Sequence, residues 1–181
     1  GIFMYPAGAE RAVLWYTYFQ DGKPTWYYMQ APQPGGNGSW TTPIYRAAWN
    51  GSANHLVEVG KAVMSARTDS QFSFAYNLDG FSGVESMDAF LVGCPSIGGN
   101  PVDASGNWFD PARAGSGYSV QLHPGYEFFA AFIYDDLGLP RFLAAERGGA
   151  FNAGANTIAL DQLQGFAPLG THAPPVRTTV G

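Results

Sequence analysis

The side chains able to do chemistry in this 181-residue chain are few and scattered: three histidines (His55, His123, His172), one cysteine (Cys94) and fourteen carboxylates. No His-x-His or His-Glu-x-x-His pair occurs, so the imidazoles lack the spacing of a zinc site. Ser116 or Ser119 with His123 is a nucleophile–base combination close in sequence, but no Gly-x-Ser-x-Gly elbow surrounds either serine. Glu85, Asp88, Glu127 and Glu146 could supply the carboxylate pair of a glycosidase, yet nothing in their spacing sets two of them across a cleft. Asp79, Asp135 and Asp136 stand beside turns, where Asp commonly bonds the backbone; the alternating spacing of a calcium loop is missing. Cys94 reads as a small buried residue, or as half of a disulfide to another chain. No phosphate loop or dinucleotide fingerprint occurs. No catalytic residue, metal ligand or cofactor is assigned.

The aromatic residues offer a second kind of chemistry. Sugar rings stack their C–H faces on exposed aromatic side chains while nearby amides bond the hydroxyls. Which aromatics are free for this is suggested by an internal repeat. Residues 12–30, AVLWYTYFQDGKPTWYYMQ, match residues 128–146, FFAAFIYDDLGLPRFLAAE. Tyr18 pairs with Tyr134, Gly22 with Gly138, Pro24 with Pro140 and Trp26 with Phe142, at one offset of 116 positions (134 − 18, 138 − 22). Bulk kept in both copies, as at Leu14, Tyr16 and Tyr18, belongs to a core. Trp15 matches Ala131 and Tyr27 matches Leu143. Trp15, Tyr27, Trp40 and Trp49 are therefore the candidates for an aromatic binding surface, with ordinary packing or a chain–chain contact as the alternative.

The elements around these residues read as strands and tight turns. Val13–Tyr18 and Thr25–Gln30 flank Asp21-Gly22, a hairpin signal. Phe128–Tyr134 and Arg141–Ala145 repeat it around Gly138. Phe72, Phe74 and Tyr76 alternate with small polar residues, the period of a half-buried strand. Further strands are expected at 42–47, 58–66, 71–78, 84–90, 107–110, 118–122 and 156–163. The predicted fold is all-β: an antiparallel up-and-down meander forming a barrel, half-barrel or sandwich from two related units. The units are placed at 1–94 and 106–170, with a Gly- and Pro-rich linker at 95–105 and an extended tail at 171–181. Gly1 aligns with Gly117, inside a motif, so the first unit is expected to lack its opening strands and the second its closing ones, each completing the other.

Composition narrows the partners. Charged residues are 13% of the chain, the net charge is −5, and Lys23 and Lys61 are the only lysines. Nucleic acid and anionic membranes attract clustered Lys and Arg, which are absent. No apolar run reaches the ~18 residues of a spanning helix.

The segment Gly106-Asn107-Trp108-Phe109-Asp110-Pro111-Ala112-Arg113-Ala114-Gly115-Ser116-Gly117 resembles a motif of exported proteobacterial proteins, Gly-x-Trp-aromatic-(Asp/Asn)-Pro-x-x-x-Gly-x-Gly. In that family an aromatic strand and Tyr-x-x-x-Gly-x-Pro-x-Trp follow; here Tyr134 to Phe142 stands in that place, with Phe for Trp, and Tyr18 to Trp26 matches in the first copy. The resemblance covers most of residues 10–147. It implies a secreted, β-rich repeat module and carries no catalytic residues. Trp108, Asp110, Pro111, Gly115 and Gly117, with Gly22 and Gly138, are read as structural, Trp108 plugging the sheet interior. The expected function is a non-enzymatic extracellular module for assembly or adhesion, partnered by other copies or another extracellular protein. The alternatives are a carbohydrate-binding module and a hydrolase with an unrecognised site.

Overall fold

The computed structural model describes residues 1–36, 38–113, 115–151, 154, 156–165 and 176–181, and strands dominate it; the helical element among them is a single 3-10 turn at Pro111–Arg113. One sheet holds seven strands in chain order: β1 (Ile2–Ala7), β2 (Glu10–Tyr18), β3 (Pro24–Pro32), β4 (Trp40–Trp49), β5 (Asn54–Thr68), β6 (Gln71–Leu78) and β7 (Phe81–Asp88). A hairpin of β8 (Ser96–Ile97) and β9 (Asn100–Pro101) follows, within the expected linker. A second sheet holds β10 (Gly106–Trp108), β11 (Gly117–His123), β12 (Tyr126–Tyr134), β13 (Pro140–Gly148), β14 (Asp161–Gln164) and β15 (Val176–Thr179), again in chain order and antiparallel. The fold is the expected all-β meander. Among the described residues no helix is long and apolar enough to cross a membrane.

The seven-stranded sheet curls into a half-barrel. Trp15 on β2 meets Phe74 and Tyr76 on β6, four strands away, with ring centroids 5.0 and 4.9 Å apart. Trp15, Tyr27, Met29, Trp40, Ile44 and Phe74 fill its concave side. A bulge helps the sheet bend. The β4–β5 register shifts between Ile44 and Tyr45, leaving Val59 unpaired, and the next residue is Gly60. A Cβ there would lie 1.8 Å from the Asn77 carbonyl oxygen of β6.

Alternate residues of β2 and β3 point the other way, where a second core joins the sheets: Phe3, Trp26 and Ala47 against Phe132, Phe142 and Leu163. β2 and β3 are thus covered on both faces. That is why their sequences are nearly continuous apolar runs rather than clean alternations.

The repeat is a repeat of backbone. β2 and β12 begin and end at equivalent residues, as do β3 and β13. Tyr18 sits opposite Pro24 and Tyr134 opposite Pro140. Tyr28 sits opposite Tyr45 and Ala144 opposite Asp161, so β14 is the counterpart of β4. The turns have the same hydrogen bonds: Gly22 N to Phe19 O and Gly138 N to Asp135 O, 2.9 and 2.8 Å. Both glycines have φ near +80° (81° and 72°), a conformation that a Cβ disfavours.

The two units grip each other reciprocally. Gly165 N donates to Gly22 O and Trp49 N donates to Gly138 O, 3.0 and 2.9 Å, and Trp49 and Gly165 are themselves equivalent positions. Trp26 packs on Tyr134 and Phe142 packs on Tyr18, each pair with ring centroids near 6 Å (5.8 and 5.9 Å). The sheets are therefore related by an internal pseudo-twofold.

Several boundaries differ from expectation. The strand expected at 84–90 is β7, ending at Asp88. That expected at 156–163 forms ladder pairs only from Asp161 onward. Residues 166–175 lie outside the described residues. The end of the expected tail is β15, an outer strand paired with β14. Cys94 is exposed, against the reading of a small buried residue.

β15 is also held by charge. Arg177 donates to Glu146 at 2.6 Å, and the Tyr126 hydroxyl donates to the other Glu146 oxygen. The Tyr126 bond, then Arg177, keep the Glu146 carboxyl below its ordinary 4.5. A carboxyl depressed in the folded state stabilises above its unfolded value and loses that contribution as pH falls through the folded one. Glu146→Gln is therefore expected to weaken the protein at pH 7 and to leave wild type and variant converging as the pH falls below the ordinary carboxyl value of 4.5 and through the lowered one. Urea midpoints across pH 2–7 read the convergence.

Candidate binding site: an aromatic cleft between the sheets

Where the outer face of β3–β5 meets the free end of the second sheet, the packing leaves a cleft of about 330 Å³. That volume is at the lower end of the range for small-ligand sites, roughly 300–1,000 Å³. Trp26 and Tyr28 come from β3, and Phe132 and Tyr134 from β12. Trp108, Phe109 and Tyr118 close its rim, and these three are exposed. Trp26 is fixed in place by Nε1 donating to the Ile133 carbonyl at 3.4 Å.

The Gly-x-Trp loop builds the rim. Asp110 Oδ1 accepts from Ala112 N at 2.9 Å, and Pro111 opens the 3-10 turn. The loop glycines permit close approach. A Cβ on Gly117 would lie 2.8 Å from the Trp108 carbonyl oxygen, and one on Gly115 would strike the Asn54 side-chain amide at 1.5 Å. Asn54 reaches across from β5 into the space that Gly115 leaves.

Polar groups in the cleft are neutral. Among the described residues that line it, none carries a charge. The Asn54 Oδ1 and the Tyr134 hydroxyl are buried and have no hydrogen-bond partner among those residues. Burial pushes the Tyr134 hydroxyl up to about 12. The Asn54 amide beside it opposes that rise, without reaching hydrogen-bond geometry with the hydroxyl. Buried polar atoms left unpaired are costly, so a ligand that supplied partners would recover that cost.

The residues expected to form the aromatic surface are elsewhere. Trp15, Tyr27 and Trp40 are 3%, 3% and 1% exposed and pack inside the half-barrel. A sugar cannot reach rings buried on that side. Trp40 Nε1 is already satisfied by the Pro32 carbonyl at 3.0 Å. Trp49, 36% exposed, lies at the end of β4 against Tyr134, beside the cleft rather than in it. Trp108, expected to plug the interior, is 57% exposed at the rim. Its place just before the Gly- and Pro-rich loop that follows β10 was the available sign of a surface position.

The other chemistries are not assembled. Ser119 is buried and its hydroxyl donates to Asn107; His123 is four residues further along the same strand, roughly 13 Å away. Glu127 is held by Arg147 in a two-pronged pair at 2.6 and 2.9 Å, and Glu85 accepts from Tyr76 at 3.0 Å. Asp135 caps its own turn through Leu137 N and Leu139 N and pairs with Arg141 at 2.6 Å. Among the described residues no group of three His, Cys, Asp or Glu side chains gathers at one place.

Compared with models of known families, with curated proteins and with solved structures, the chain matches none.

Proposed function

We propose that the chain is a non-enzymatic extracellular adhesion module that binds a neutral carbohydrate in the cleft between its sheets. The observation that carries the reading is the cleft's lining: exposed Trp108, Phe109 and Tyr118 around buried, unpartnered amide and hydroxyl groups, with no charge. Aromatic faces match the C–H faces of a pyranose, and Asn54 Oδ1 and the Tyr134 hydroxyl match its hydroxyls. The absence of charge from the lining favours neutral over acidic sugars. The aromatic-rich, lysine-poor composition accords with export.

A neutral-oligosaccharide array followed by titration of tryptophan fluorescence tests the reading. Binding should weaken about tenfold or more (~1.4 kcal/mol) in Trp108→Ala and in Asn54→Ala. Phe81→Ala, an exposed ring on β7 outside the cleft, should bind as wild type. Binding to no neutral sugar, or binding indifferent to both cleft substitutions, would remove the proposal.

A further inference from the structure

Arg11 differs from the other arginines of the chain. Arg46, Arg141, Arg147 and Arg177 each meet a carboxylate, and Arg67 stands exposed on β5. Arg11 is half-buried, and among the described residues it has no carboxylate partner. Partners are not scarce, since the chain has 14 Asp and Glu against nine Lys and Arg. Arg11 lies two residues before Val13 and four before Trp15 on β2, so the alternation of the strand turns it to the same concave face. Its guanidinium carbon is 5.6 Å from the centroid of the Trp40 ring. Drawing a cation partly out of water is unfavourable unless negative charge or an aromatic face meets it, and here only the aromatic face does.

In front of Arg11 the half-barrel opens into a cavity of about 360 Å³, between the loop that follows β3 and the β5–β6 turn. Met64 on β5 and Phe72 on β6 give it an apolar wall continuous with the half-barrel core. Gly36 and Gly38 line the loop side and bring no side chain into it. The turn's polar side chains are already engaged: Thr68 Oγ1 accepts from Ser70 N at 3.3 Å, and Gln71 Nε2 donates to Asp88 at 2.5 Å. Arg11 therefore holds the strongest open donors in the cavity. A guanidinium presents a planar fork that matches a carboxylate in two parallel hydrogen bonds. The other charge among the described lining residues is Asp69, exposed on the turn. It opposes a second negative charge on any occupant.

We propose that this mouth of the half-barrel binds a small monocarboxylate with an apolar body, the carboxylate on Arg11 and the body against Met64 and Phe72. The mouth of a β-barrel is a common place for a small ligand, where apolar walls bury the body and a few polar groups orient it. Trp40 holds the guanidinium plane in place, and Arg11 supplies the charge that selects an acid over a neutral compound of the same shape. The residues that carry the argument stand on β2, β4, β5 and β6, all interior strands of the seven-stranded sheet. The site shares no lining residue with the aromatic cleft, so the inference holds whether or not that cleft takes sugar.

The test titrates 3-phenylpropanoate and 3-phenylpropan-1-ol into the intact chain at pH 7, read by the methyl resonance of Met64. Saturable binding of the acid is expected, about tenfold or more tighter than that of the alcohol, because hydrogen bonds between charged groups are the stronger ones. Arg11→Gln should weaken the acid about tenfold and bring acid and alcohol level. Arg11→Lys, which keeps the charge and loses the fork, should fall between Arg11→Gln and wild type. Lys61→Gln, which removes an exposed positive charge elsewhere on β5, should bind as wild type. Absence of saturation, equal affinity for acid and alcohol, or an acid affinity indifferent to Arg11→Gln would each overturn the proposal. Should Arg11→Gln fail to fold, the ratio of acid to alcohol measured on wild type decides by itself.

Discussion

Gly138→Ala is expected to destabilise the protein by about 3 kcal/mol or more, lowering the melting temperature by roughly 6–12 °C. Two effects add. The residue sits at φ +72°, where an L side chain costs about 1–2 kcal/mol. A Cβ there would also lie 1.9 Å from the Trp49 carbonyl oxygen, and backbone cannot swing aside as a flexible side chain can. Making room for the methyl means withdrawing β4 from the turn, which breaks the Trp49 N to Gly138 O bond as well. Gly8→Ala separates the two effects. Gly8 has φ +64° but open space around it, so its substitution should cost about 1 kcal/mol. Thermal melts of both variants read the difference. Equal losses would mean that the Trp49 contact adds nothing.

Trp15→Ala is expected to cost about 3–5 kcal/mol, the range for truncating a buried aromatic in a packed core. Its ring lies 4.9–5.5 Å from those of Tyr27, Phe74 and Tyr76, so removal opens a cavity that β2, β3 and β6 would all have to close upon. Trp108→Ala is expected to change stability by only about 0.5 kcal/mol, because its ring is exposed at the end of a short outer strand. Urea denaturation of the pair checks the contrast. A larger loss for Trp108→Ala than for Trp15→Ala would reverse the roles given to the two residues.

The hairpins were legible because their turns repeat their chemistry. A Tyr ending one strand, a Gly four residues on and a Pro opening the next specify one geometry, and that geometry recurs at Tyr18–Pro24 and Tyr134–Pro140. The binding surface was not legible, for a physical reason visible at Trp15 and Tyr27. Aromatic bulk in one copy alone looks like freedom to serve function. In the structure it reflects a second core. The β2–β3 hairpin has β5–β7 curled over its far face and needs large rings to fill the space, whereas the matching positions of β12 and β13 hold Ala131 and Leu143, outside that core. The nearly continuous apolar runs of β2 and β3 are the sign of cover on both faces, but they do not say which strands supply it. Trp108 was misread in the opposite sense, since its neighbours Asp110, Pro111, Gly115 and Gly117 shape a loop that carries the ring outward rather than in.

The reciprocal contacts across the pseudo-twofold have the grammar of an isologous dimer written within one polypeptide: position i meets position j, and the descendant of j meets the descendant of i. The carbonyl of each turn glycine accepts from the other unit, Gly22 from Gly165 and Gly138 from Trp49. Neither half is thus a finished folding unit on its own account. The chain should melt as one cooperative body, and damage at either turn is shared by both.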